Sequence, residues 1–157
     1  MALYTGWNCL ILVTDDGLDP NEPLGTIQLI WEGGSKIEDE LVFLDSIFLS
    51  LGIGLIEIEK ALSFSSEIFD EPNPFNFRKV NHEYEIEYMD QKVFFSSLKQ
   101  ARIELVDKIF ELKSTYFKPN STEYNLFIEE LDEIINKIEQ IALTNRWTWP
   151  DKLCGFT

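Results

Sequence analysis

Apolar and polar positions along this 157-residue chain recur with two different periods. Period two marks strands, because successive side chains face opposite sides; spacings of three and four mark helices. The run Asn8 to Val13 is short, apolar and β-rich, and predicts a strand. Asp15-Asp16-Gly17-Leu18-Asp19-Pro20-Asn21-Glu22-Pro23 is a dense turn cluster and predicts a loop. Thr26 to Trp31 predicts a second strand, so the two make a hairpin-like pair around an acidic loop.

After Gly33-Gly34, Ser35 with Glu38 three residues on has the form of a capping box. Ile37, Leu41, Leu44, Phe48 and Leu51 follow at helical spacing. The pattern predicts a helix from about Lys36 to Leu51, stopped near Gly52 and Gly54. Leu55 to Glu59 alternates and reads as a short strand, with helix as the alternative. Ser63 to Lys79 reads as irregular, because Pro72 and Pro74 break regular structure twice. Glu83-Tyr84-Glu85-Ile86-Glu87-Tyr88 alternates over three pairs and predicts the clearest strand of the chain. Asp90-Gln91 reads as the turn into a partner strand, Val93 to Phe95.

Two long helices follow. Ser97 and Gln100 form a second capping-box pattern, and Leu98, Ala101, Leu105, Ile109, Leu112 and Tyr116 make an apolar stripe. A second stripe runs from Tyr124 through Leu131, Ile134, Ile135 and Ile138 to about Leu143. The short connection Lys118-Pro119-Asn120 predicts an antiparallel hairpin. The expected fold is therefore one α+β domain over residues 1–157. It has a small, mostly antiparallel sheet, one helix from the first half, and the C-terminal helix hairpin packed on one face. The tail holding Trp147 and Trp149 is expected to pack back over the core, because exposed paired tryptophans would form a patch needing a partner.

Composition narrows the function classes. The formal charge is −15, and aromatic residues reach 13%, which marks a core-forming chain and not a disordered acidic tail. Such a surface repels phosphate backbones and anionic membranes and favours cationic partners. No apolar run approaches the roughly 20 residues of a membrane span, and Met1 to Gly6 lacks the pattern of a signal peptide, so a cytoplasmic protein is expected. Cys9 sits in an apolar run and reads as a small buried hydrophobe, not bridged to Cys154.

Little chemistry is marked. His82 is the one histidine, placed at a strand entry without a triad's neighbours. Gly52-Ile53-Gly54 lacks the third glycine of a dinucleotide loop, and there is no P-loop. One histidine and two distant cysteines offer no zinc spacing, and Asp15, Asp16 and Asp19 lack the alternation and glycine of a calcium loop. No cofactor and no metal is expected. Paired carboxylates, as in a small hydrolase or lyase, remain an alternative, because facing acids leave no signature in one sequence. A third reading is an oligomeric adaptor joined through the helix hairpin or the Trp147/Trp149 tail.

The charge is uneven. Residues 1–96 carry 5 Lys+Arg against 18 Asp+Glu, a balance of 5 − 18 = −13. The first long helix is basic and the second acidic, so Arg102, Lys108 or Lys113 can face Glu129, Asp132 or Glu133 across the hairpin. The unbalanced surface is then the first half. On the strand from Glu83, the residues Glu83, Glu85 and Glu87 share one face, expected to lack interleaved lysines. Glu57 and Glu59 are expected to point outward on a neighbouring strand, and the loop acids Asp15, Asp16 and Asp19 are the competing location. These eight residues are the candidate contacts for a cationic protein partner. The expected function is a non-enzymatic, immunity-type or inhibitor-type protein that covers a basic site, such as that of a toxin nuclease. Electrostatic attraction speeds such encounters.

Overall fold

The computed structural model describes residues 10–15, 24–31, 35–69, 71–116 and 125–145. Element order is β1 (Leu10–Asp15), β2 (Leu24–Trp31), β3 (Lys36–Phe43), α1 (Leu44–Glu57), β4 (Ser63–Ser66), β5 (Phe75–Val80), β6 (Glu83–Tyr88), β7 (Gln91–Phe95), α2 (Leu98–Tyr116) and α3 (Asn125–Asn145). The class is α+β, as the patterns indicate. The strands form two antiparallel sheets, ordered β1-β2-β3 and β4-β5-β6-β7. Among the described residues, no helix is long and apolar enough to cross a membrane.

The first correction lies between residues 36 and 51. The expected helix is a strand followed by a helix: β3 pairs with β2, and α1 starts only at Leu44. The register explains why the pattern misled. Gly25 faces Val42 and Ile27 faces Asp39, so Glu40 and Leu41 together oppose Thr26. One extra residue in β3 is a β-bulge, and it breaks the alternation. Ile37 and Val42 are both buried, five positions apart, where a regular strand would keep even spacing. The broken period, continued into Leu44 and Phe48, imitates helical spacing. Ser35 therefore caps no helix.

Helix α1 also runs through the two glycines expected to stop it. A Cβ on Gly52 would lie 2.5 Å from Ile134 Cγ2, and one on Gly54 would lie 2.0 Å from the Phe77 ring. Both glycines are helix-interior residues that let neighbours approach the α1 backbone. Leu55 to Glu57 continues the helix and is not a strand. Helix α1 is the middle layer of the fold. It touches strands of both sheets on one side, and α2 and α3 on the other. Two buried serines tie it to β4: Ser66 Oγ donates to Ser50 O at 2.7 Å, and Ser50 Oγ donates to Ser66 O at 3.1 Å.

Residues 63–79 are the second correction, since they contain β4 and β5. In β5, Phe75 and Phe77 alternate inward and are fully buried, directly after Pro74. Strand β4 is a short serine-rich edge with almost no apolar period of its own. The β6–β7 hairpin forms, but its turn is Met89-Asp90, at φ 49 and 63, and not Asp90-Gln91: Gln91 already pairs with Tyr88 as the first residue of β7. Positive φ at both central residues gives the turn the twist that suits adjacent strands.

The C-terminal helices behave as their stripes indicate. Leu105, Ile109, Leu112, Leu131, Ile134 and Ile138 are buried in the same core as Ile27, Phe48 and Phe77. Ser97 Oγ accepts the Gln100 N–H at 3.1 Å, which caps α2. Lys113 pairs with Asp132 across α2 and α3, as expected for the hairpin. Lys108 instead pairs within its own helix, with Glu111 at 3.0 Å. Cys9, Cys154, Trp147 and Trp149 lie outside the described residues.

Candidate functional site

The site expected from sequence was a sheet face of unpaired glutamates. Strand β6 does alternate: Ile86 and Tyr88 are buried, and Glu83 and Glu87 are half-buried on the opposite face. That face is not free of cations. Arg78 on β5 lies directly opposite Glu85, and Lys92 on β7 lies opposite Glu87. Glu85 is 5% exposed, with Arg78 Nη1 at 3.6 Å and Lys92 Nζ at 3.9 Å. The expectation that no cation interleaves the glutamates is thus corrected. Arg78 and Lys92 are drawn in from the flanking strands because like charges cannot stand unscreened on one face.

Glu57 and Glu59 do not lie on a neighbouring strand. Glu57 ends α1 and Glu59 follows it. Glu59 Oε1 accepts from Arg102 Nη1 at 2.9 Å. Arg102, 3% exposed, also donates Nε and Nη2 to Leu55 O at 3.0 and 2.7 Å. An arginine of α2 therefore caps the C-terminus of α1, which has no basic residue in its own last turn. Arg102 was expected to face α3; the carbonyl end of α1 holds it instead. Arg102→Ala should cost about 1–3 kcal/mol, because it leaves a buried carbonyl unpaired. Glu59→Gln should cost under about 1 kcal/mol, since that carboxylate is half exposed. Urea unfolding of both variants checks the order, and equal losses would refute the cap.

Of the loop acids, Asp15 ends β1 opposite Thr26, while Asp16 and Asp19 lie outside the described residues. A different acidic group, missed in the sequence, gathers around the ends of β4 and β6. Both strands run antiparallel to β5, so both finish at the same end of their sheet, beside the start of β5. There Tyr88 Oη donates to Asp39 Oδ2 at 2.6 Å. Burial raises the Tyr88 hydroxyl far above the ordinary phenol range, and the bond to Asp39 and the charges of Asp39 and Glu71 add to the rise. Glu40, Glu67 and Asp90 are exposed in the same region, with Phe69 at 69% and Met89 at 53% exposure. Asp39 and Glu40 were hidden by the helix reading of β3.

Other chemistry is sparse among the described residues. They contain no group of three or more His, Cys, Asp or Glu able to hold a metal ion. His82 is exposed in the β5–β6 turn. A cavity of about 360 Å³ opens between β1, α1 and α2, and its described lining holds a single carboxylate, Glu111, already paired with Lys108. Asp45, in the first turn of α1, is buried and accepts the Ser46 N–H at 2.9 Å, and desolvation raises its carboxyl above the usual range. Comparison of the chain with protein-family models, with curated proteins and with solved structures finds no match.

Proposed function

We propose that this chain is a non-enzymatic acidic domain that binds a cationic protein, in the manner of an immunity or inhibitor protein covering the basic site of a toxin nuclease. One observation carries the reading: four of the five cations of the first 96 residues are engaged by groups of the protein itself. Of Lys36, Lys60, Arg78, Lys79 and Lys92, three pair with glutamates: Lys36 with Glu38, and Arg78 and Lys92 with Glu85. Lys79 donates to the Glu59 carbonyl at 2.9 Å. The 18 acids of that region therefore keep most of their surplus for solvent or a partner. The acids around Tyr88, with exposed Phe69 and Met89 among them, suit a basic surface that also presents apolar groups.

The test is kinetic. A partner captured from the source cell is titrated with salt while the association rate is followed. The rate should fall steeply as the Debye length shrinks from about 10 Å at 0.1 M to about 3 Å at 1 M salt. Charge reversal at Glu40 and Asp90 should slow association, and reversal at Glu83 and Glu87 forms the parallel arm. Glu85 is left out, because its burial would make reversal a folding defect. A rate indifferent to salt and to both arms sinks the reading.

A further inference from the structure

A groove of about 400 Å³ lies between the C-terminal end of α1 and the second half of α3. Its lining is mostly aliphatic: Ile56 of α1 is buried, and Ile141 of α3 is half-buried. Leu143, 62% exposed, stands one helical step beyond Gln140 and continues the apolar surface along α3. Two exposed cations line the same groove, Lys60 beside the end of α1 and Lys137 on α3. Their side chains have no hydrogen-bond or ion-pair partner. Among the described residues, every other lysine and arginine side chain is engaged by a hydrogen bond, an ion pair or another electrostatic contact. The one carboxylate of the described lining, Glu59, is already bonded to Arg102. In a chain of charge −15, two unclaimed ammonium groups at one aliphatic groove are a local reversal of sign.

We propose that this groove binds a free single-chain carboxylate of the fatty-acid type. The alkyl chain lies against Ile56 and Ile141, and the carboxylate is held by Lys60 and Lys137. Charge complementarity selects this ligand. Each ammonium donates to a carboxylate oxygen, and the flexible lysine stems let both reach one head group. The exposed amides of Asn136 and Gln140 add neutral donors beside it. The volume falls within the roughly 300–1,000 Å³ of small-ligand pockets. It suits one chain and not the two of a membrane lipid, and the acidic surface repels anionic bilayers. The site shares no residue with the acidic surface proposed for the protein partner.

The test titrates the full chain with monomeric decanoate by calorimetry. Binding should be one to one. Octanoate should bind more weakly, by up to about 15-fold, since each fully buried methylene is worth about fourfold. Decylammonium controls for adsorption: an acidic protein attracts it non-specifically, so tighter binding of decanoate requires a local cationic site. Lys60→Gln combined with Lys137→Gln should weaken decanoate about tenfold, the loss of two exposed ion pairs, and leave decanol binding unchanged. No saturable binding, a preference for decylammonium, or a folded double variant that keeps its affinity for decanoate overturns the proposal. Amide resonances of the wild type locate the ligand independently of any variant. Shifts with decanoate should centre on Ile56, Lys60, Lys137 and Ile141, and shifts centred elsewhere overturn the site.

Discussion

Ile134→Ala and Leu105→Ala should each destabilise the protein by about 2–5 kcal/mol, the range for removing a buried branched side chain. Both residues converge on Gly52. A Cβ there would lie 2.5 Å from Ile134 Cγ2 and 3.4 Å from Leu105 Cδ2, so α1, α2 and α3 meet with no slack. Ile134 is 4% exposed and Leu105 2%. The cost should fall in the upper part of the range, because a cavity at a three-helix crossing cannot close by moving one loop. Urea unfolding with an unchanged slope is the measurement. Losses below about 1 kcal/mol at both sites would mean that this crossing is not close-packed.

The second large effect is at Phe77. Its ring is fully buried and lies against the α1 backbone at Gly54, where an added Cβ would come within 2.0–2.5 Å of three ring atoms. Phe77→Ala should cost about 3–5 kcal/mol. Gly54→Ala alone should cost about 1–3 kcal/mol through overpacking, despite the gain of about 1 kcal/mol that alanine brings to a helix interior. In the Phe77→Ala background the obstructing ring is gone, so Gly54→Ala should become neutral or stabilising. The double-mutant cycle should therefore show a coupling of at least about 1 kcal/mol. Additive losses would show that the close approach of α1 to β5 is not what demands glycine.

The strands Thr26 to Trp31 and Glu83 to Tyr88, and the two C-terminal helices, were legible because each repeats one period over its whole length. The candidate site was legible only in part. The excess of acids in the first half, and the alternation that puts Glu83 and Glu87 on one face, could be read directly. That Glu85 is buried between Arg78 and Lys92 could not, because those cations come from strands whose register no local pattern states. Ser63 to Ser66 carried no signal, since a serine-rich edge owes its strand conformation to β5.

The sequence by itself determined the class, the amphipathic stripes, the Ser97 cap and the acidic charge, because each depends on residue type and spacing within one element. Only the tertiary structure decided the rest. It converted residues 36–43 into a bulged strand, kept Gly52 and Gly54 inside a helix, sent Arg102 to the α1 terminus, and set Gln91 against the Glu38 backbone of β3. The reason is common to all four. Each rests on contacts between residues distant in sequence, where a neighbouring backbone or ring overrides the local preference for turn, cap or helix.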